Sequence, residues 1–181
     1  MYGSRFFRLY YESLMADLRF LGNGFFWESR MAGFLTYSTD TAALLSAAFR
    51  GRVADYCVAV GLGIGAHPAA LRTTLKLLPG FFFPGRQPGS EVPAELLSYG
   101  VLPEFRRHSE FFASQRIHVA LELLHRAFSE LREHGARQVK IFIQLEDTNA
   151  FINEFYRREG FQLLRRTRRF GMLCNYCVRD L

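Results

Sequence analysis

The residues able to do chemistry fall in a few places along the chain. Cys174 and Cys177 form a C-x-x-C. As a zinc or redox site it would need a second ligand pair or a following helix. The surrounding G-M-L-C-N-Y-C-V-R-D reads instead as a final strand, where positions three apart face opposite sides of the sheet. The expectation is three free thiols, and their odd number argues against a secreted disulfide framework. His108, His118, His125 and His134 lie close together, but H-x6-H is not a usual ligand spacing, and His125 and His134 read as surface positions of a helix; no metal is expected. G-L-G-I-G at 61–65 hints at a dinucleotide turn but lacks the acidic residue about twenty positions on, so packing at a helix start is the simpler use. The R-R-T-R-R run at 165–169 offers cations to nucleic acid, yet alternating Arg on a hairpin also describes a solvated edge strand. The remaining cluster is N-A-F-I-N-E-F-Y-R-R-E-G-F at 149–161, which sets an amide, a phenol and a Gly-Phe pair between two strand-like stretches.

The elements that must position these groups follow from periodicity. Residues 4–20 place aromatics at helical spacing, and Gly22-Asn23-Gly24 is expected to end that helix. F-F-W-E-S and M-A-G-F-L-T-Y-S then form a hairpin with its bend near Ser29-Arg30. From Thr41 to Leu78 the pattern predicts two or three helices. The Pro/Gly-bracketed loop that follows carries Phe81, Phe82 and Phe83, rings seldom left in water, so it lines a pocket, folds onto the body or meets a second subunit in a homodimer. Ala94 to Val101 reads as a strand. Residues 115–134 form an amphipathic helix with Ile117, Ala120, Leu121, Leu124, Ala127, Phe128 and Leu131 on one face and Gly135 as its stop. Gln138 to Leu145 is a second strand, so strand, helix and strand make a βαβ-like unit. The 149–161 segment adds a helix, and F-Q-L-L-R-R-T-R-R with F-G-M-L-C-N-Y-C-V-R-D closes the chain as a hairpin.

Bulk composition is that of an ordinary core-forming chain. At 181 residues, with 49% hydrophobic and 22% charged residues, it is expected to be one domain, 1–181, and not disordered. The longest uncharged apolar runs fall short of the ~20 residues that span a bilayer, so no membrane helix is expected, and the N-terminus lacks the features of a secretory signal. A cytoplasmic protein is the default expectation. The net charge of +6, carried mainly by Arg, leaves nucleic acid, an anionic cofactor or a soluble surface open, since Arg grips phosphate with a planar fork.

The order strand, helix, strand, N-x6-Y-x3-G-F, hairpin resembles the GNAT superfamily of N-acetyltransferases, which move an acyl group from acyl-coenzyme A to an amine. The resemblance covers residues 94–181 well, 4–40 loosely and 41–93 hardly at all. It implies a mixed α/β fold with an N-terminal helix and hairpin (1–40), a helical insert and Phe-rich loop (41–93) before the central strand, and a coenzyme A-binding half (94–181). The family begins with a strand and a helix ahead of the helix seen at 4–20, so the chain looks short at its start. In the family a strand ending in Val-x-Pro splays from its neighbour and pantetheine lies in the gap; Gly100-Val101-Leu102-Pro103 matches that element. A Gln/Arg-x-x-Gly-x-Gly/Ala run then meets the pyrophosphate at a helix N-terminus, where backbone N–H groups lack partners. The chain offers Gln115-Arg116-Ile117-His118-Val119-Ala120. His118 stands where glycine is usual, and about nine residues are inserted before it, so Arg106, Arg107, Arg116 and His118 are expected to supply by side chain what the loop lacks by backbone. Asn149, Tyr156, Gly160 and Phe161 stand at the family's spacing, with Ile152 in place of alanine.

The resemblance implies direct acyl transfer with acetyl-CoA as co-substrate and no nucleophilic cysteine. Such transfer needs a neutral amine, a stabilised oxyanion and a proton for the thiolate. Asn149 would help hold the coenzyme. Backbone N–H groups around Tyr99, Gly100 and Val101 would face the thioester oxygen, and Tyr156 would protonate the sulfur. Glu95 stands where some members carry the carboxylate that takes the amine's proton; a strand-end surface residue is the other reading. Two further readings remain beside the enzyme: a non-catalytic module of the same fold binding coenzyme A or a protein partner, and a basic nucleic-acid-binding protein.

Overall fold

The structure, a computed structural model, describes residues 4–50, 52, 54–58, 91–107, 109–145, 150–169 and 172–181. The G-L-G-I-G run, Phe81 to Phe83, His108 and Asn149 lie outside the described residues. Six strands form one mixed sheet in the order β1-β2-β3-β4-β6-β5: β1 (Phe20–Trp27), β2 (Arg30–Ser38), β3 (Glu95–Val101), β4 (Gln138–Gln144), β5 (Gln162–Arg169) and β6 (Met172–Asp180). The helices are α1 (Ser4–Met15), α2 (Thr41–Phe49), the short α3 (Glu110–Gln115), α4 (Val119–Glu133) and α5 (Ala150–Arg158). Residues 54–58 are also helical. No helix among the described residues is long and apolar enough to cross a membrane.

Adjacent residues of a strand face opposite sides of the sheet, and here each side has its own core. On one side Leu35, Leu96, Val139, Ile141 and Ile143 meet Leu123, Leu124, Ala127, Phe128 and Leu131 of α4, together with Tyr156 and Phe161. On the other, Leu14 of α1 packs with Leu44, Leu45, Ala48 and Phe49 of α2, against Phe20 and Leu97. The neighbours Leu96 and Leu97 thus point into different cores.

A β-bulge sits at that point. Thr36 opposes Ser98 but Tyr37 opposes Leu96, which leaves Leu97 without a partner on β2. The extra residue shifts the phase of β3, so Leu96 and Tyr99, three apart, pack on the same core. Sequence alternation alone does not show this shift.

The first helix ends at Met15, short of the expected residue 20, and Leu18 is left almost fully exposed. Gly22-Asn23-Gly24 is no stop; it lies within β1, where the Asn23 amide donates to the Leu123 carbonyl of α4 (3.2 Å). The hairpin turns at Glu28-Ser29, both with positive φ (48° and 65°), the signature of a two-residue turn with primed geometry. The long helix starts at Val119, not at 115, because Arg116 adopts a left-handed φ of 58° and closes α3 first. Its buried face includes Val119 and Leu123 rather than Leu121. Gly135 (φ 80°) and Gly160 (φ 83°) end α4 and α5 as left-handed residues, and the N–H groups of Ala136 and Phe161 reach back to Leu131 and Tyr156.

Candidate functional site

The feature that organises the site is a failure of strand pairing. β3 and β4 run parallel and are joined only where Glu95 opposes Lys140, with the Lys140 N–H donating to the Ala94 carbonyl (3.0 Å). Beyond that bridge the two strands part. The ladder to β2 determines what the parting exposes. Leu102 donates to Ala32, and the register runs on through Val101↔Gly33, Gly100↔Phe34 and Tyr99↔Leu35. In an antiparallel ladder only alternate residues bond to the partner strand, so Gly100 bonds toward β2 while the N–H groups of Tyr99 and Val101 point into the gap. The Arg106 guanidinium donates to the Val101 carbonyl at the gap's mouth (3.0 Å). What remains is a short, unpaired strand edge inside the protein, a surface on which an extended amide-bearing arm can lie as an added strand.

A cleft of about 440 Å³ occupies the gap on the α4 and α5 side. Tyr99, Val101, Arg106, Arg107, His118, Ala120 and Tyr156 line it. Sequence reasoning did not single out the apolar remainder of the wall: Phe105, Ile141, Phe142, Ile143, Phe151 and Phe155. The available signal was the apolar run Ile141-Phe142-Ile143 of β4 and the aromatic repeat Phe151, Phe155 at helical spacing on α5.

Two phenols converge on this cleft. Tyr156 is 4% exposed, its ring held edge-on between Phe155 and Phe161 (centroids 5.2 and 5.3 Å). Its hydroxyl makes no hydrogen bond among the described residues, and burial pushes its pKa well above the ordinary tyrosine value. The Tyr99 hydroxyl is fully buried without a partner among the described residues, and burial raises its pKa, with Tyr156 adding to the effect. Both stay protonated at neutral pH, available as donors to a group in the cleft.

At the far end of the cleft lies the N-terminus of α4. His118 is its N-cap and makes no side-chain cap bond; Glu122 is the first residue of the helix whose N–H reaches back, to the His118 carbonyl. The N–H groups of Val119, Ala120 and Leu121 therefore end the helix with unpaired donors and a partial positive charge. Val119 faces the core and presents only backbone there. Arg106 and Arg107 are exposed at the same mouth. Gln115 and Arg116 are exposed and do not line the cleft. The structure thus brings together Tyr99, Val101, Arg106, Arg107, His118, Ala120 and Tyr156, with Gly100 beside them, and leaves Gln115 and Arg116 outside.

His118 sits between the rings of Phe112 (5.8 Å) and Phe155 (6.5 Å). Burial, and then Arg107, lower its pKa below 6.5. In the unfolded chain the imidazole therefore binds a proton more readily than in the fold. Between the two values acidification favours unfolding, so this residue's part of the stability is present above about pH 6.5 and is lost below it. Urea unfolding of wild type and His118→Gln at pH 7.5 and pH 5 should show a smaller acid loss in the variant; equal losses would contradict the assignment.

Glu95 lies elsewhere. It is 2% exposed, so it is not a surface residue. Its side chain points to the face away from Tyr156, where one carboxylate oxygen bonds Arg169 and the other lies 3.7 Å from the Lys140 ammonium. Lys140 also donates to the Val92 carbonyl (2.6 Å), and burial lowers its pKa. Neither cation was identified as Glu95's partner from sequence; a lone Lys in an apolar strand, and an Arg at the inner end of R-R-T-R-R, were the signals. A second cleft of about 250 Å³ opens beside this cluster, lined by Tyr10, Tyr11, Leu97, Glu95, Arg169 and Phe142 among others.

The cysteines are free thiols: Cys57 is exposed, and Cys174 and Cys177 are buried. The latter two point to different faces, Cys177 into the α4-side core and Cys174 onto the second cleft. Burial pushes the Cys177 thiol up to about 11. Among the described residues no group of three or more His, Cys, Asp or Glu is gathered as a metal site. β5 is an outer strand with Arg165, Arg166 and Arg168 exposed.

No family model and no curated protein matches the sequence. Solved structures do match the fold. A protein from Desulfovibrio desulfuricans assigned to the acetyltransferases of the GNAT family superposes with a TM-score of 0.53 at 15% identity, over 93% of this chain and 74% of that one. PaiA N-acetyltransferase from Thermoplasma acidophilum, solved with coenzyme A, gives 0.50 at 13%, over 94% and 66%. A further acetyltransferase gives 0.51 at 11%, over 87% and 68%. At such identities the likeness is one of fold: a mixed six-stranded α/β sheet built as in the GNAT acetyltransferases.

Proposed function

We propose that this chain, a divergent form of the GNAT fold, is an acyl-coenzyme A dependent N-acyltransferase whose donor lies in the gap between β3 and β4. The observation that carries the reading is the unpaired edge at Tyr99 and Val101, facing a buried phenol that has no partner of its own among the described residues. A pantetheine arm presents two amides and a thioester, which fits an apolar slot with a free strand edge along one wall. Phosphate oxygens would meet the N-terminus of α4 and the guanidinium groups of Arg106 and Arg107. Asn149 remains part of the proposal from its spacing alone.

In the reaction a neutral amine nitrogen attacks the thioester carbonyl carbon, the C–N bond forms and the C–S bond breaks. Of the two N–H groups at Tyr99 and Val101, one donates to the carbonyl oxygen as it gains charge and the other holds an amide of the arm. Tyr156 gives its proton to the departing sulfur and is reprotonated by the proton the amine has lost. Glu95, already engaged by two cations, serves the structure of the second cleft rather than holding that proton. The acceptor amine enters from that second cleft, across the sheet.

A second reading is favoured by one observation. The His118 ring, lodged between Phe112 and Phe155, crowds the end of α4 that phosphate would approach. On that reading the chain is a binding module without turnover. Calorimetry with acetyl-CoA, together with a thiol-release assay over a panel of primary amines, separates the two: binding with release supports the enzyme, binding alone the module, and no binding sinks both. A nucleic-acid-binding protein would instead show affinity that falls steeply with salt and survives competition by coenzyme A.

A further inference from the structure

Phe142 belongs to both clefts. It and Gln144, on the strand that parts from β3, line the cleft on the α5 side and the cleft on the α1 side alike, so the two clefts meet at this strand. We propose, on the basis of the N-acyltransferase reading, that Phe142 sets the length of the acyl group the protein can transfer.

The thioester carbon must lie where an amine arriving from one face meets a donor held on the other, and that is the junction Phe142 shares. With the arm filling the α5-side cleft, the acyl chain extends toward the second face and meets the Phe142 ring. This ring is held from two sides. The Arg169 guanidinium lies 4.1 Å above it, and the Tyr176 ring packs at 5.2 Å with its plane tilted by 30°. Arg169 is in turn anchored on buried Glu95. A side chain so clamped does not swing aside for an extra methylene. Behind it the second cleft is partly apolar, with Leu14, Phe20, Leu45 and Leu97 in its wall, so space for a longer chain exists once the ring is removed. Glu95 and Arg169 act here as positioning residues, through Phe142.

The test compares thiol release from acetyl-, butyryl-, hexanoyl- and octanoyl-CoA for wild type, Phe142→Leu and Phe142→Ala, with one amine held constant. In wild type, kcat/KM should fall at least about tenfold from acetyl to hexanoyl, the discrimination that extra methylenes meet at a fixed apolar wall. Phe142→Ala should shift the hexanoyl-to-acetyl ratio upward by about tenfold or more, with Phe142→Leu between. If Phe142→Ala does not fold, the ratio in Phe142→Leu decides. Variants that bind coenzyme A normally but keep the wild-type ratio, or lose all four donors in parallel, overturn the proposal. So does a wild type with a flat length profile, which leaves the N-acyltransferase reading intact. A wild type that releases no thiol from any donor overturns both.

Discussion

Tyr156→Phe should bind coenzyme A as wild type does and turn over about 10²-fold or more slowly, the range a positioned general acid commands. The change removes one oxygen and leaves the ring between Phe155 and Phe161, so the helix and its packing are conserved. It is the hydroxyl that stands apart: it has no hydrogen-bond partner among the described residues, on a side chain only 4% exposed, and it carries its proton at neutral pH. A thiolate leaving group is the species that takes such a proton. Calorimetry and steady-state kinetics on the same preparation check the split. Loss of binding together with loss of rate would mean that the hydroxyl holds the donor in place, and an unchanged rate would remove Tyr156 from the chemistry.

Glu95→Ala should cost about 3–5 kcal/mol of folding stability, because it removes the buried carboxylate that offsets the two neighbouring cations, Lys140 and Arg169. Those two side chains are 5% and 12% exposed. Removing the cations as well, in Glu95→Leu/Lys140→Met/Arg169→Leu, should recover most of the loss, since a well-packed apolar replacement avoids the desolvation of three charges. Urea midpoints of the three proteins provide the comparison. A Glu95→Ala protein as stable as wild type, but dead in turnover across the pH range, would restore Glu95 to the role of base.

These two residues also mark how far the sequence could be read. Tyr156 could be placed at the cleft because its spacing is local: the turn at Gly160 and the helix before it position the phenol relative to the strand within a dozen residues. The face of α4 was legible for the same reason, with Leu124, Ala127, Phe128 and Leu131 at helical intervals and Gly135 as its stop. Glu95 depends on contacts 45 and 74 positions away in the chain, and periodicity carries no information about them. The bulge at Leu97 shifts the phase of β3 through a register slip against β2, which no pattern within β3 records. Gly22-Asn23-Gly24 was read as a stop because glycine and asparagine favour turns. In the fold, a Cβ on Gly22 would lie 3.4 Å from Thr36, the Phe26 ring comes within 2.9 Å of where one would sit on Gly24, and Asn23 bonds the back of α4. The start of α4 was misplaced because Arg116 breaks the helical run through its backbone conformation, and arginine does not announce a left-handed residue.

Backbone hydrogen exchange at two amides, with and without acetyl-CoA, tests the open strand edge itself. If the arm seats itself along the free margin of β3, the N–H groups of Tyr99 and Val101 should exchange markedly more slowly in the complex, while Gly100, already bonded to its neighbour, changes little. Saturating acetyl-CoA that leaves both amides exchanging as in the free protein would contradict it.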